Sequence, residues 1–165
     1  MVDLREKIRD VPDFPKSGII FKDITTLIKD ANAFQKAIDD MATLFQPEEI
    51  DKVLGIESRG FIFASALAYK WNKGVILVRK PGKLPAEKIT EEYKLEYGTD
   101  SVEIHVDAIN PGEKILIIDD LLATGGTVEA TVRLVERLKG VVAGIGFLIE
   151  LSFLNGRSRL KDYIC

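Results

Sequence analysis

The stretch Ile115-Leu116-Ile117-Ile118-Asp119-Asp120-Leu121-Leu122-Ala123-Thr124-Gly125-Gly126-Thr127 decides the fold. Ile115 to Ile118 is an apolar run of strand length that closes on two adjacent carboxylates. A loop holding Thr124, Gly125, Gly126 and Thr127 follows. Val128, Thr131, Val132, Val135 and Leu138 then recur at helical spacing up to Gly140, so Ile115 to Lys139 reads as strand, loop and helix. The same alternation extends outward. Lys52–Ile56 is a short buried strand followed by a mostly apolar helix, Gly60–Trp71. Gly74 opens the next element, and Val75–Val78 is a second buried strand. Val141–Leu151 is apolar nearly throughout and reads as the last. Upstream, Phe34, Ala37, Ile38, Met41, Leu44 and Phe45 share one face of a helix over Asp30–Phe45, with Asp30 as its cap and Pro47 as its stop. Buried strands alternating with helices define an α/β fold, an open and largely parallel sheet flanked by helices.

One stretch departs from that rhythm. Val102, Ile104 and Val106 alternate with Glu103, His105 and Asp107. Glu91–Tyr97 is also strand-like, and Gly98-Thr99-Asp100 supplies a turn. Residues 91–107 are therefore expected to form an exposed β-hairpin standing off the main sheet.

Composition narrows the function classes. The 165 residues suit one domain spanning 1–165, and 46% are apolar. The 23 basic and 26 acidic residues are spread along the chain, for a net charge of −3, and no basic block suggests a nucleic-acid partner. No apolar run approaches the roughly 20 residues a membrane helix needs. The charged start, Met1 to Arg9, lacks a signal-peptide core. The single cysteine, Cys165, suits a reducing compartment. A cytoplasmic protein with neither membrane nor nucleic-acid partners is expected.

Open parallel sheets bind ligands at the carboxyl ends of their strands. Two junctions qualify: Gly55-Ile56-Glu57-Ser58-Arg59-Gly60, and the stretch after Ile118. In the second, glycines let backbone amides approach an anion closely, and the helix start adds free N–H groups and a positive dipole end. Thr124 and Thr127 add hydroxyl donors. That is a cradle for a phosphate dianion. Asp119 and Asp120 would repel a phosphate, so they suit vicinal sugar hydroxyls instead, directly or through a divalent cation. A phosphate and a diol at this separation make a ribose 5-phosphate. The motif G-x-x-x-x-G-K-[ST] is absent, and neither junction carries G-x-G-x-x-G.

The run Ile117 to Thr127 resembles the phosphoribosyl pyrophosphate signature of the type I phosphoribosyltransferases, in the form found in the branch that acts on adenine. The resemblance extends from about Leu4 to about Leu160. It implies the type I phosphoribosyltransferase fold, with a small amino-terminal hood within residues 1–30 and the hairpin as a lid. By resemblance, Asp119 and Asp120 contact the ribose, and Ala123, Thr124, Gly125, Gly126 and Thr127 hold the 5′-phosphate. Glu57, Ser58 and Arg59 resemble the pyrophosphate loop. Arg79, Lys80 and Lys83 lead into the mobile loop and supply cations to pyrophosphate, some of them to a neighbouring subunit's site. Leu95-Glu96-Tyr97-Gly98 matches the loop tip, where Glu96 and Tyr97 lie over the reacting centre with Arg59.

Phe14 to Ile24 resembles the adenine hood, with Ile20, Phe21 and Lys22 reading the purine. By pattern alone, Ile19, Ile20 and Phe21 would be core. Members commonly carry Arg where Lys22 stands, and the exchange loses the planar fork. The implied reaction is purine salvage: adenine plus phosphoribosyl pyrophosphate gives AMP and pyrophosphate. The implied enzyme is a homodimer, with Mg²⁺ carried by the substrate and no direct protein ligand assigned to it. The alternatives are a transferase for another purine base and a non-catalytic regulator that binds phosphoribosyl pyrophosphate. His105, Trp71 and Cys165 suit bland roles: solvated, packing and terminal thiol.

Overall fold

The computed structural model describes residues 2–95 and 97–165. It comprises two compact units, Met1–Leu44 and Phe45–Cys165.

In the first unit, β1 (Arg9–Pro12) pairs antiparallel with β2 (Ile20–Asp23), followed by α1 (Thr25–Ile28) and α2 (Ala31–Ala42). The β1–β2 register sets Arg9 opposite Asp23 and Asp10 opposite Lys22, so each opposite-charge pair also forms an ion pair. Asp30 caps α2 as expected, its carboxylate accepting from the amides of Asn32 and Ala33. The helix stops at Ala42 instead of reaching Phe45.

The second unit contains β3 (Lys52–Ile56), α3 (Gly60–Trp71), β4 (Gly74–Val78), β5 (Lys88–Lys94), β6 (Thr99–His105), β7 (Lys114–Leu122), α4 (Gly126–Arg137) and β8 (Val141–Glu150). Four of these strands form an all-parallel sheet in the order β4-β3-β7-β8. β7 sits at its centre. Its Ile115, Leu116, Ile117 and Ile118 are fully buried, each contributing roughly 1.5–3 kcal/mol of apolar burial. On α4, Val128, Thr131, Val132 and Val135 are buried, as their spacing requires. β4 differs from the buried strand expected. It is an edge, with Ile76 and Val78 inside and Val75 and Leu77 exposed.

Strand order fixes where a ligand can enter. From β3 the chain passes to β4 on one side, while β7 and β8 lie on the other. The direction of winding therefore switches between β3 and β7, where a crevice opens at the carboxyl ends. β7 also outruns its neighbour: pairing with β3 ends at Gly55–Ile118, whereas pairing with β8 continues through Asp119–Phe147 to Leu122–Glu150. The ten-residue β8 supplies the partner that extends β7 past Ile118. Asp119 and Asp120 therefore lie on a strand, overhanging the end of β3.

The hairpin β5–β6 is hydrogen-bonded as its own two-stranded sheet, beginning at Lys88. Only one face is exposed. Tyr93, Val102 and Ile104 join the core beside α4. Arg133 and Arg137 of α4 both pair with Glu91 and donate to the carbonyls of Glu92 and Thr90. Glu103, expected to face outward, is buried because its carboxylate accepts from the Gly82 amide and the Thr90 hydroxyl.

Candidate active site

Both candidate junctions open onto the crevice between β3 and β7. After β3, the chain turns through Glu57, Ser58 and Arg59 into α3. After β7, it turns through Ala123, Thr124 and Gly125 into α4. Neither helix has a side-chain cap on its first amides, which leaves N–H groups for a ligand. Gly125 takes φ +85°, a conformation open chiefly to glycine. Gly60 permits the closest approach of the two junctions. A Cβ there would stand 2.8 Å from Asp119 Oδ1 and 2.9 Å from the Ile118 carbonyl oxygen.

The two carboxylates differ. Asp119 is half-buried, and its Oδ1 accepts from the Asp120 amide at 2.9 Å. Burial and then the neighbouring Asp120 charge push its carboxyl well above the ordinary range, and the hydrogen bond from the Asp120 amide and the Arg59 charge only partly offset them. Asp120 is buried, with Oδ2 2.8 Å from Arg59 Nε. Yet Oδ2 accepts no hydrogen bond among the described residues, so the contact with Arg59 is a charge pair of poor hydrogen-bond geometry. A buried acceptor left over in this way fits a sugar hydroxyl, or a water bound to a divalent cation.

By resemblance Glu57 belongs to the pyrophosphate loop. The structure sets its carboxylate among the neighbouring cations. Oε1 pairs with Lys83 Nζ, Oε2 accepts from the Lys80 amide at 2.8 Å, and Arg79 Nε lies 3.4 Å from Oε2. Burial works to raise the Glu57 carboxyl, but Lys83, the Lys80 amide and Arg79 outweigh it and hold the group below its usual range. Arg79 Nε is itself buried and has no hydrogen-bond acceptor among the described residues. Lys80 reaches the other way, to Asp100 and to the Tyr93 hydroxyl at 2.6 Å. An antiparallel bridge between Arg79 and Glu103 ties the same strap to β6.

Because folding lowers its pKa, the Glu57 carboxylate stabilises the protein fully above the ordinary 4.5, and that contribution is lost as pH falls through the folded value. Glu57→Gln is expected to melt several degrees below the parent at pH 7. The gap should narrow from pH 5 toward pH 3, as read by calorimetry. A gap constant with pH would mean that the carboxylate's charge is not what holds the strap.

At the hairpin tip, the Leu95 amide donates to the Gly98 carbonyl at 3.0 Å, and Tyr97 is exposed. Glu96 lies outside the described residues. In the first unit, Phe14 meets Phe21 edge-on at 5.2 Å, and Lys22 pairs with Asp10 at 2.7 Å. Ile19 and Ile20 are exposed, not core. The site thus has a supporting layer that motif reading misses: Tyr93, Asp100 and Glu103 under the cations, and Arg133 and Arg137 under the hairpin. The strand-like run 91–97 and the alternation over 102–107 are the signals that point to the hairpin part of it. His105 is half-buried and accepts from the Ala86 amide at 3.2 Å.

The phosphoribosyl transferase domain model matches residues 24–164. An adenine phosphoribosyltransferase of Geobacter metallireducens is 59% identical over 162 residues, covering 98% of this chain and 95% of the relative. A crystal structure of adenine phosphoribosyltransferase from Thermoanaerobacter pseudethanolicus superposes with a TM-score of 0.95 at 52% identity, covering 98% of this chain and 94% of that one. The Saccharomyces cerevisiae enzyme, crystallised with an imino-altritol bisphosphate and adenine, gives 0.90 at 40% identity, with coverage of 98% and 94%. The chain belongs to the phosphoribosyltransferase family, in its adenine phosphoribosyltransferase branch.

Proposed function

We propose that the chain transfers the 5-phosphoribosyl group from phosphoribosyl pyrophosphate to adenine, giving AMP and pyrophosphate in purine salvage. The observation that carries the reading is the crevice between β3 and β7. There an acidic pair, one member with an unspent buried acceptor, stands beside an uncapped helix start and opposite Arg59.

In this reading, Ala123–Thr127 hold the 5′-phosphate, and Asp119 and Asp120 accept from the ribose hydroxyls. Glu57, Ser58, Arg59, Arg79, Lys80 and Lys83 form the pyrophosphate site, with the Glu57 carboxylate keeping Lys83 and Arg79 in place until the substrate arrives. A purine ring nitrogen attacks the anomeric carbon as the bond to pyrophosphate breaks, and positive charge builds on the sugar ring. The chain supplies alignment and charge, with little covalent chemistry of its own. Mg²⁺, carried by the substrate and with no direct protein ligand assigned to it, would supply positive charge to the departing pyrophosphate. Glu96 and Tyr97 close over the centre on the β5–β6 lid and exclude water. Glu96 takes the purine proton or steadies the ring charge. Ile20, Phe21 and Lys22 read the adenine. We place the protein in the cytoplasm as a homodimer, its residues 1–165 working as one domain with the hood within 1–30.

The test is to offer phosphoribosyl pyrophosphate and Mg²⁺ with adenine, hypoxanthine, guanine or orotate, and to measure pyrophosphate released. Release with adenine alone is expected. Turnover with hypoxanthine or guanine and not adenine would make this a transferase for another base. Silence with every base would make it a regulator.

A further inference from the structure

The sugar-phosphate loop is braced from behind by the end of the chain. After β8, the chain runs through a short 3₁₀ turn, Ser152–Leu154, into a second, Gly156–Leu160. The amide of Leu151 donates to the carbonyl of Leu122 at 2.9 Å, which brings this segment alongside the end of β7. Gly156 then lies against the loop so closely that a Cβ on it would stand 2.2 Å from the Ala123 carbonyl oxygen and 3.1 Å from Leu122 Cδ1. The contact is reciprocal. A Cβ on Gly125 would stand 2.8 Å from the Gly156 carbonyl oxygen and 3.2 Å from Arg159 Cδ. Arg159 pairs with Glu129 in the first turn of α4 at 2.8 Å. Leu160, buried in the same core cluster as Leu122, pins the segment down.

We infer that Gly156 is a positioning residue for 5′-phosphate binding, holding Ala123–Gly125 in the conformation that presents their amides. It touches no substrate and acts through the loop backbone. The argument is steric. Backbone lies on both sides of the contact, so an added methyl must move either the carboxyl-terminal segment or the loop, and no side chain can swing aside to absorb it. A shift of about 1 Å in such a cradle is enough to cost about a hundredfold in a well-aligned reaction. The inference rests on the reading of Ala123–Thr127 as the phosphate cradle.

The experiment measures ribose 5-phosphate and pyrophosphate binding by calorimetry, and steady-state kinetics, for the parent, Gly156→Ala and Arg159→Ala. For Gly156→Ala, ribose 5-phosphate affinity is expected to fall about tenfold or more. KM for phosphoribosyl pyrophosphate should rise by a similar factor, while KM for adenine and the affinity for pyrophosphate stay put. A general loss of structure would move all four. Arg159→Ala, which keeps the buried packing, is expected to lose about threefold in ribose 5-phosphate affinity alone, and it decides the matter if Gly156→Ala fails to fold. Unchanged ribose 5-phosphate affinity in folded Gly156→Ala overturns the inference, as does unchanged affinity in Arg159→Ala if only that variant folds. A parent protein that does not bind ribose 5-phosphate overturns the cradle reading, and this inference with it.

Discussion

Replacing Asp119 and Asp120 together by alanine is expected to weaken phosphoribosyl pyrophosphate binding about tenfold or more and to leave the protein folded. Hydrogen bonds to a charged acceptor contribute roughly 1.5–3 kcal/mol each, so losing even one accounts for that factor. The fold should survive because these groups are held at a cost. Asp119 is desolvated beside another carboxylate, and Asp120 keeps a buried oxygen with no hydrogen bond among the described residues. The sign of the pH effect follows. An acid whose pKa rises on folding costs nothing below its ordinary 3.8, and its cost grows as pH climbs toward the folded value and is complete above it. Asp119→Asn should therefore melt higher than the parent, with an advantage that widens as pH rises from 4. Activity and stability move in opposite directions here, as expected where a site holds groups for a ligand and not for the fold. Titration calorimetry with phosphoribosyl pyrophosphate and Mg²⁺, paired with melts across pH, reads both effects. Unchanged affinity in the double variant would remove the acids from the ribose.

The sheet was legible because its strands carry their burial in their composition. Lys52–Ile56 and the helices after β3 and β7 fall where apolar runs and spacing put them, and Asp30 caps its helix. What was not legible depends on partners distant in sequence. β7 continues through Asp119 and Asp120 to Leu122 because β8 is long enough to pair with it, and charged residues at a strand end give no local sign of that. Val75 and Leu77 read as buried, yet they stand on an edge, since strand order is not written in a strand. Glu103 alternates outward by pattern and is buried by its acceptors, the Gly82 amide and the Thr90 hydroxyl. In the site, the motif residues were recognisable by chemistry, whereas Tyr93, Asp100 and Gly156 matter through what they touch. Glu57 shows the limit most clearly. An acid in a pyrophosphate loop is recognisable as part of the site, but its pairing with Lys83, Arg79 and the Lys80 amide depends on a segment more than twenty residues away.

Gly60→Ala should lower kcat/KM about a hundredfold, although alanine is the better helix former and Gly60 opens α3. Its own φ is not in the left-handed region, so no conformational penalty attaches to the exchange. The cost is contact. The new methyl would stand 2.8 Å from Asp119 Oδ1, 2.9 Å from the Ile118 carbonyl oxygen and 3.1 Å from Asp119 Cα. Two of those atoms are backbone of a central strand, where Ile118 pairs on both sides and Asp119 is held by β8, so neither retreats easily. The junction after β3 must move outward, carrying Arg59 away from Asp120 and widening the crevice. Overpacking of this kind costs roughly 1–3 kcal/mol in stability, too little to unfold a domain of this size but enough to misplace an arginine by the ~1 Å that alignment cannot tolerate. Gly112→Ala separates the two effects. That position has φ +85° with open space around it, and it lies beyond the opposite end of β7, so alanine there strains the backbone without touching the crevice. Gly112→Ala should lose stability and keep kcat/KM, whereas Gly60→Ala should lose kcat/KM well beyond its loss of stability. Equal activity in the two variants would mean that β3 and β7 need not approach this closely for Arg59 and Asp120 to work.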